Sequence, residues 1–126
     1  MSETLIDALR KKSCYRHEVK TIDVIESDLA WIVLTGTFAY KIKKPIDLYF
    51  LDASSLEDRH TLCQSEFNLN QRSYQEMYLN VVGIYRSETG VTVEQGGGEP
   101  IEYAVKMSQF DPNQTLDQIH DRKQLN

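Results

Sequence analysis

Apolar positions follow two rhythms along the chain, and the switches between them mark out the elements. Leu5, Ile6 and Leu9 follow Ser2 at helical spacing and run into Arg10, Lys11 and Lys12, a basic end suited to a helix C-terminus. A short N-terminal helix is expected there. Val19 to Ile25 has strand character and is closed by the turn residues Glu26, Ser27 and Asp28. Leu29 to Leu34 is continuously apolar, rich in β-branched residues and contains Trp31, which predicts a central strand covered on both faces. After the turn at Thr35, Gly36 and Thr37, Phe38 to Lys44 alternates, with Phe38, Tyr40 and Ile42 on one face and Ala39, Lys41 and Lys43 on the other. Three antiparallel strands in succession follow from this pattern.

Pro45 stops the third strand, and Ile46, Leu48, Tyr49, Phe50 and Leu51 form an apolar connection expected over the sheet edge. Ser54-Ser55-Leu56-Glu57 has the spacing of a capping box with Ser54 as cap, and a long helix should follow to about Tyr74. On that helix Leu62, Glu66 and Leu69 share a narrow sector with Cys63 beside them, which sets a carboxylate in the apolar stripe. Val81 to Arg86, Val91 to Glu94 and Ile101 to Met107 read as strands, with Gly96-Gly97-Gly98 as a hairpin turn. Asp111-Pro112 breaks the chain, and Thr115 to Gln118 has capping-box spacing for a helix running to Asn126. The fold class expected is α+β: a twisted antiparallel sheet of about five strands with one long packed helix and a short N-terminal helix.

Composition narrows the classes of function. At 126 residues the chain fits one domain, and 40% hydrophobic with 26% charged residues is ordinary for a globular protein. The net charge of -5 opposes a general nucleic-acid or membrane-surface binder. The apolar run at Leu29 is far too short to cross a bilayer, and the N-terminus lacks the layout of a secretory signal. Cys14 and Cys63 are widely spaced and fit reduced, buried thiols, so a cytoplasmic location is expected. His17, His60 and His120 have no metal-ligand partners at useful spacing. Asp47 and Asp52 suit turn formation and helix entry, Lys43 and Lys44 a solvated strand end with help in attracting phosphate as the alternative, and Trp31 and Tyr40 the core.

The chemistry-bearing pair is Lys41 and Glu66. Lys41 shares its strand face with the small Ala39, so a flat adenine could lie against Ala39 while the ammonium two residues on reaches the phosphates. A glutamate on a helix packed against that sheet would orient the lysine. Strand lysine plus helix glutamate is the arrangement by which kinases grip nucleotide phosphates.

The segments Trp31 to Gly36, Ala39 to Pro45, Phe50 to Asp52, Glu66 to Asn70, Tyr78 to Val82 and Glu102 to Met107 follow one another in a characteristic order. In that order the chain resembles the small lobe of the protein-kinase-like fold. It is similar above all to the aminoglycoside phosphotransferase-related domain of bacterial two-part proteins, where that domain precedes a P-loop ATP-binding domain. The resemblance implies ATP as cofactor, with Lys41 on the phosphates, Glu66 as its helix partner, Ala39 beneath the base, and Met107, Ser108, Gln109 and Phe110 as the hinge that bonds adenine. Residues 1–110 would form the small lobe and residues 111–126 the hinge exit and the start of a large lobe.

The chain departs from the kinase pattern at Glu26-Ser27-Asp28, which stands where a glycine-rich phosphate loop would be. The catalytic aspartate, the magnesium ligands and the acceptor contacts of that family belong to the large lobe. No catalytic residue is therefore assigned in this chain, magnesium is expected only with that lobe, and the chain alone is expected to lack turnover. His120-Asp121 does not supply the missing base, because its spacing is that of a helix beyond the hinge. The alternative is a non-enzymatic truncated module that self-associates or binds a protein partner through the exposed lobe interface.

Overall fold

Two tight turns fold residues 23–43 into a meander of β1 (Asp23–Glu26), β2 (Ala30–Leu34) and β3 (Phe38–Lys43). The computed structural model describes residues 2–19, 21–48, 51–73, 77–88, 90–94 and 98–109. In the first turn Ser27 donates to the Ala30 carbonyl through its N–H and its hydroxyl, and Ala30 N–H donates back to Ser27 Oγ. In the second, Thr35 N–H and Oγ1 both donate to the Phe38 carbonyl, while Gly36 takes φ +101°, which a residue with a Cβ would resist. The expected strand at Val19 begins only at Asp23. Val19 instead buries its side chain in the core beneath the sheet.

The chain then makes a small hairpin, β4 (Asp47–Leu48) with β5 (Leu51–Asp52), closed by Ala53 N–H donating to the Ile46 carbonyl. The apolar connection after Pro45 is therefore a two-stranded unit of its own. Helix α2 (Leu56–Gln71) follows, then β6 (Tyr78–Ser87), β7 (Gly90–Val93) and β8 (Glu102–Ser108). β6 starts three residues earlier than the hydrophobic run suggests, because a bulge between Tyr78 and Asn80 lets Leu79 point outward while Tyr78 still pairs with Met107. The main antiparallel sheet has six strands, not five, in the order β1-β2-β3-β8-β6-β7. With α1 (Ser2–Leu9) and α2 the architecture is α+β.

β8 comes last in sequence but lies at the centre, paired to β3 on one side and β6 on the other. The sheet is curled. Three strand spacings of ~4.8 Å separate β3 from β7, yet Tyr40 Oη on β3 donates to Glu94 Oε2, just after β7, at 3.3 Å. On this concave side α1 and the segment after it bury Leu5, Ile6, Leu9, Cys14, Tyr15 and Val19 against Trp31, Val33, Tyr40, Ile42, Val82, Ile84 and Ala104. The opposite face carries Leu34, Ala39, Tyr78, Val105 and Met107, and α2 covers it with Cys63 and Phe67. Each face thus has its own helical cover, as the alternation in β3 requires. The helix expected from Thr115, the hinge exit, Gly96 and Gly97 lie outside the described residues.

Candidate functional site

Helix α2 is fixed at its start by two devices. Ser55 is the N-cap, its hydroxyl accepting from Asp58 N–H at 3.0 Å. The cap is therefore one residue later than the capping-box spacing suggested. Ser54 instead donates to Asp52 Oδ1 through Oγ at 2.6 Å and N–H at 3.0 Å, a turn that presents Ser55 to the helix and draws the exposed Asp52 carboxyl below its usual range. One turn on, Arg59 Nε donates to both Glu102 oxygens, and its Nη1 donates to the Ala53 and Ser54 carbonyls at 3.0 Å. This buried ion pair ties α2 and the loop before it to the first residue of β8.

From that anchor the inward stripe runs through Arg59, Cys63, Glu66 and Phe67. Leu69, expected in the stripe, is 72% exposed. The reason is the position of the anchor: with Arg59 turned inward, residues four and seven or eight further on face the sheet, and Leu69 rotates out. Glu66 does face the sheet, as expected, and meets the lysines of β3.

The geometry there involves three residues. Lys41 Nζ lies 3.2 Å from Glu66 Oε2, and Lys43 Nζ donates to Glu66 Oε1 at 2.7 Å. Alternation of side chains along β3 puts Ala39, Lys41 and Lys43 on the α2 face, with Lys41 opposite Ile32 on β2 and Val105 on β8. Lys41 is the more open of the two lysine side chains, 28% exposed against 18% for Lys43. Burial alone would raise the Glu66 carboxyl, but the charge of Lys41 and the hydrogen bond and charge of Lys43 outweigh it and hold it below the usual range. Glu66 is thus a carboxylate held between two ammonium groups.

Lys43 corrects the expectation of a solvated strand end. Its spacing carried the signal, since a residue two places beyond Lys41 must project to the same face. Lys44, on the other face, pairs with Glu26 at 2.6 Å and sits 5.1 Å from the centre of the Trp31 ring, so it clamps the β1–β2 turn. That turn spends Ser27 N–H and Ala30 N–H on its own closure.

At the end of β8 the expected hinge is partly described. Met107 is buried beside Ala39 in register, Ser108 N–H donates to the Met77 carbonyl, and Gln109 N–H donates to the Thr37 carbonyl at 3.0 Å. The Gln109 side-chain carbonyl also accepts from Gly36 N–H at 2.7 Å. These bonds stitch the β2–β3 turn to the end of β8 and occupy the Ser108 and Gln109 amides with protein acceptors. Phe110 lies outside the described residues.

A second polar group, not anticipated from the sequence, sits on the concave face. Lys106 Nζ donates to both oxygens of Glu94 and lies 4.2 Å from the Phe38 ring centre, while Tyr40 Oη joins Glu94 to His17 Nε2. His60 stacks on Tyr103 at 3.8 Å between ring centres, which gives it a packing role on α2. Cys14 and Cys63 are free and buried, as expected. Among the described residues no group of three or more His, Cys, Asp or Glu side chains could hold a metal ion, and no helix is long and apolar enough to cross a membrane.

Comparison with known proteins gives partial likenesses. Over 72 residues the chain is 39% identical to an uncharacterized protein of Mycobacterium bovis and to uncharacterized proteins of two strains of Mycobacterium tuberculosis, covering 55% of this chain in each case. The matched region spans 14% of the length of those relatives. No family model matches the chain, and no solved structure gives a significant match.

Proposed function

We propose that this chain is the ATP-holding small lobe of a kinase-like small-molecule phosphotransferase. The observation that carries the reading is the meeting of Lys41 on β3 with Glu66 on α2 at 3.2 Å, with Ala39 two residues back on the same face. Within the trio, two ammonium groups face one carboxylate, which leaves one positive charge unmatched in a half-enclosed place. A phosphate group fits that imbalance. Lys41 would contact the phosphates and Glu66 would orient Lys41, while Ala39, expected beneath the base, is 5% exposed and packed in the core with Cys63 and Met107, so the base would have to lie elsewhere.

Adenine recognition through Gln109 requires its N–H to exchange the Thr37 carbonyl for the base, since Met107 is buried and paired with strands on both sides. Phosphoryl transfer itself needs acidic groups and magnesium that the proposal assigns to a further lobe, so this chain's part is binding and orientation. Isothermal titration of magnesium-ATP into the chain and its Lys41→Met variant tests this: the variant should bind at least about tenfold more weakly, since a charge-assisted phosphate contact is lost. Equal affinity in the two would overturn the assignment.

A second reading, a non-enzymatic module that pairs with a copy of itself, is favoured by the 72% exposure of Leu69 on α2. Light scattering separates the two, with a strict monomer that binds nucleotide excluding self-association.

A further inference from the structure

We propose that Lys43 is a positioning residue that anchors Glu66 and so leaves Lys41 available to the nucleotide; the identity of the ligand rests on the function proposed above, the anchoring does not. The two lysine contacts are unequal. Lys43 donates a 2.7 Å hydrogen bond to Oε1 and is the more enclosed, whereas Lys41 stands 3.2 Å from Oε2, an oxygen that is buried and accepts no hydrogen bond among the described residues. An incoming phosphate competes with Glu66 for an ammonium group. Moving Lys41 toward it sacrifices the longer and more exposed contact, while moving Lys43 breaks the shorter one and strips the buried carboxylate of its more enclosed partner.

With Lys43 in place, Glu66 keeps a counter-ion when Lys41 leaves. Without it, Lys41 becomes the sole partner of a largely buried carboxylate and is held back from the ligand. The division of labour assigns three roles to three side chains: Lys43 anchors, Glu66 orients, Lys41 reaches.

The test follows the Glu66 carboxyl by NMR titration in the wild-type chain and in K41M, K43M and K43R, with magnesium-ATP titrated into each. The Glu66 midpoint should rise in K43M, move less in K41M and return toward wild type in K43R. Affinity for magnesium-ATP should fall several-fold in K43M, recover in K43R and fall furthest in K41M. A Glu66 midpoint that is unmoved in K43M, or that moves more in K41M, overturns the anchoring role. Loss of ATP affinity in K43M equal to that in K41M, and not recovered in K43R, would make Lys43 a direct ligand and also overturn it.

If the wild-type chain takes up no nucleotide, the function proposed above fails, while the Glu66 titration still decides the anchoring. Should K43M not fold, the wild-type chain supplies the measurement through ammonium proton exchange: Lys43 protons should exchange more slowly than those of Lys41, and the reverse order overturns the proposal.

Discussion

Arg59 and Glu102 form a buried fork, with Arg59 Nε at 3.0 and 3.1 Å from the two carboxylate oxygens. The pair joins the first turn of α2 to the start of β8, and the direction in which Glu66 points follows from it. Removing one partner strands the other charge in the interior, so Arg59→Met should destabilise the fold by about 3–5 kcal/mol. The double change Arg59→Met with Glu102→Leu should recover much of that loss. Urea unfolding of the three proteins checks both statements, and equal stability of the single and double variants would contradict them.

Acid should weaken the fold through Glu66. Its carboxyl is held below the ordinary value of 4.5 because Lys41 and Lys43 outweigh the opposing effect of burial. A group whose folded pKa is depressed contributes stability that is fully present above its unfolded value and is lost as pH falls through the folded one. Glu66→Gln should therefore be less stable than wild type near neutral pH, and the gap should narrow once the pH drops below about 4.5. Urea midpoints measured from about pH 7 down to about pH 3 report the difference directly.

The two neighbouring serines before α2 have different duties and should respond differently to alanine. Ser55 satisfies a free N–H of the first helical turn, so Ser55→Ala should cost about 1 kcal/mol. Ser54 bonds an exposed carboxylate in the preceding turn, and its replacement should cost less. Thermal unfolding ranks them, and a larger loss at Ser54 would return the cap to that residue.

The cysteines should be silent to thiol reagents in the folded chain. Burial pushes the Cys63 thiol up to about 11, the nearby lysines drawing it down less than burial raises it, and burial also raises Cys14. At about pH 8, labelling should appear only when denaturant opens the chain. Rapid labelling of Cys63 in native buffer would mean that α2 leaves the sheet easily.

Much of this organisation could be read from the chain because strand alternation is a local rule. Phe38 to Lys43 shows it best: the faces of Tyr40 and Lys41 follow from period two alone, and the structure has Tyr40 in the core beside α1 and Lys41 toward α2. The meeting of Lys41 with Glu66 was also legible, since an isolated carboxylate in a helical apolar stripe asks for a cation across the interface. What was not legible depends on distant partners. Leu69 lost its place because Arg59 turns inward to reach Glu102, 43 positions away, and no local pattern announces that pair. The contact of Lys106 with Glu94 is illegible for the same reason, being made across the curl of the sheet. Lys43 is the exception, since the alternation that turns Lys41 toward α2 turns Lys43 the same way, but a lysine at a strand end is so often solvated that its spacing alone does not announce a buried partner.

The position of β8 in the sheet constrains the order in which the fold can be assembled. A nascent chain that has left the ribosome as far as Val93 holds two separate ribbons, β1-β2-β3 and β6-β7, each with an open inner edge. Only when Glu102 to Ser108 emerges can those edges be bridged, by one strand inserted between them. Folding must therefore wait for the C-terminal part of the domain, and the lysine face and the helix that covers it come to rest in the same late step.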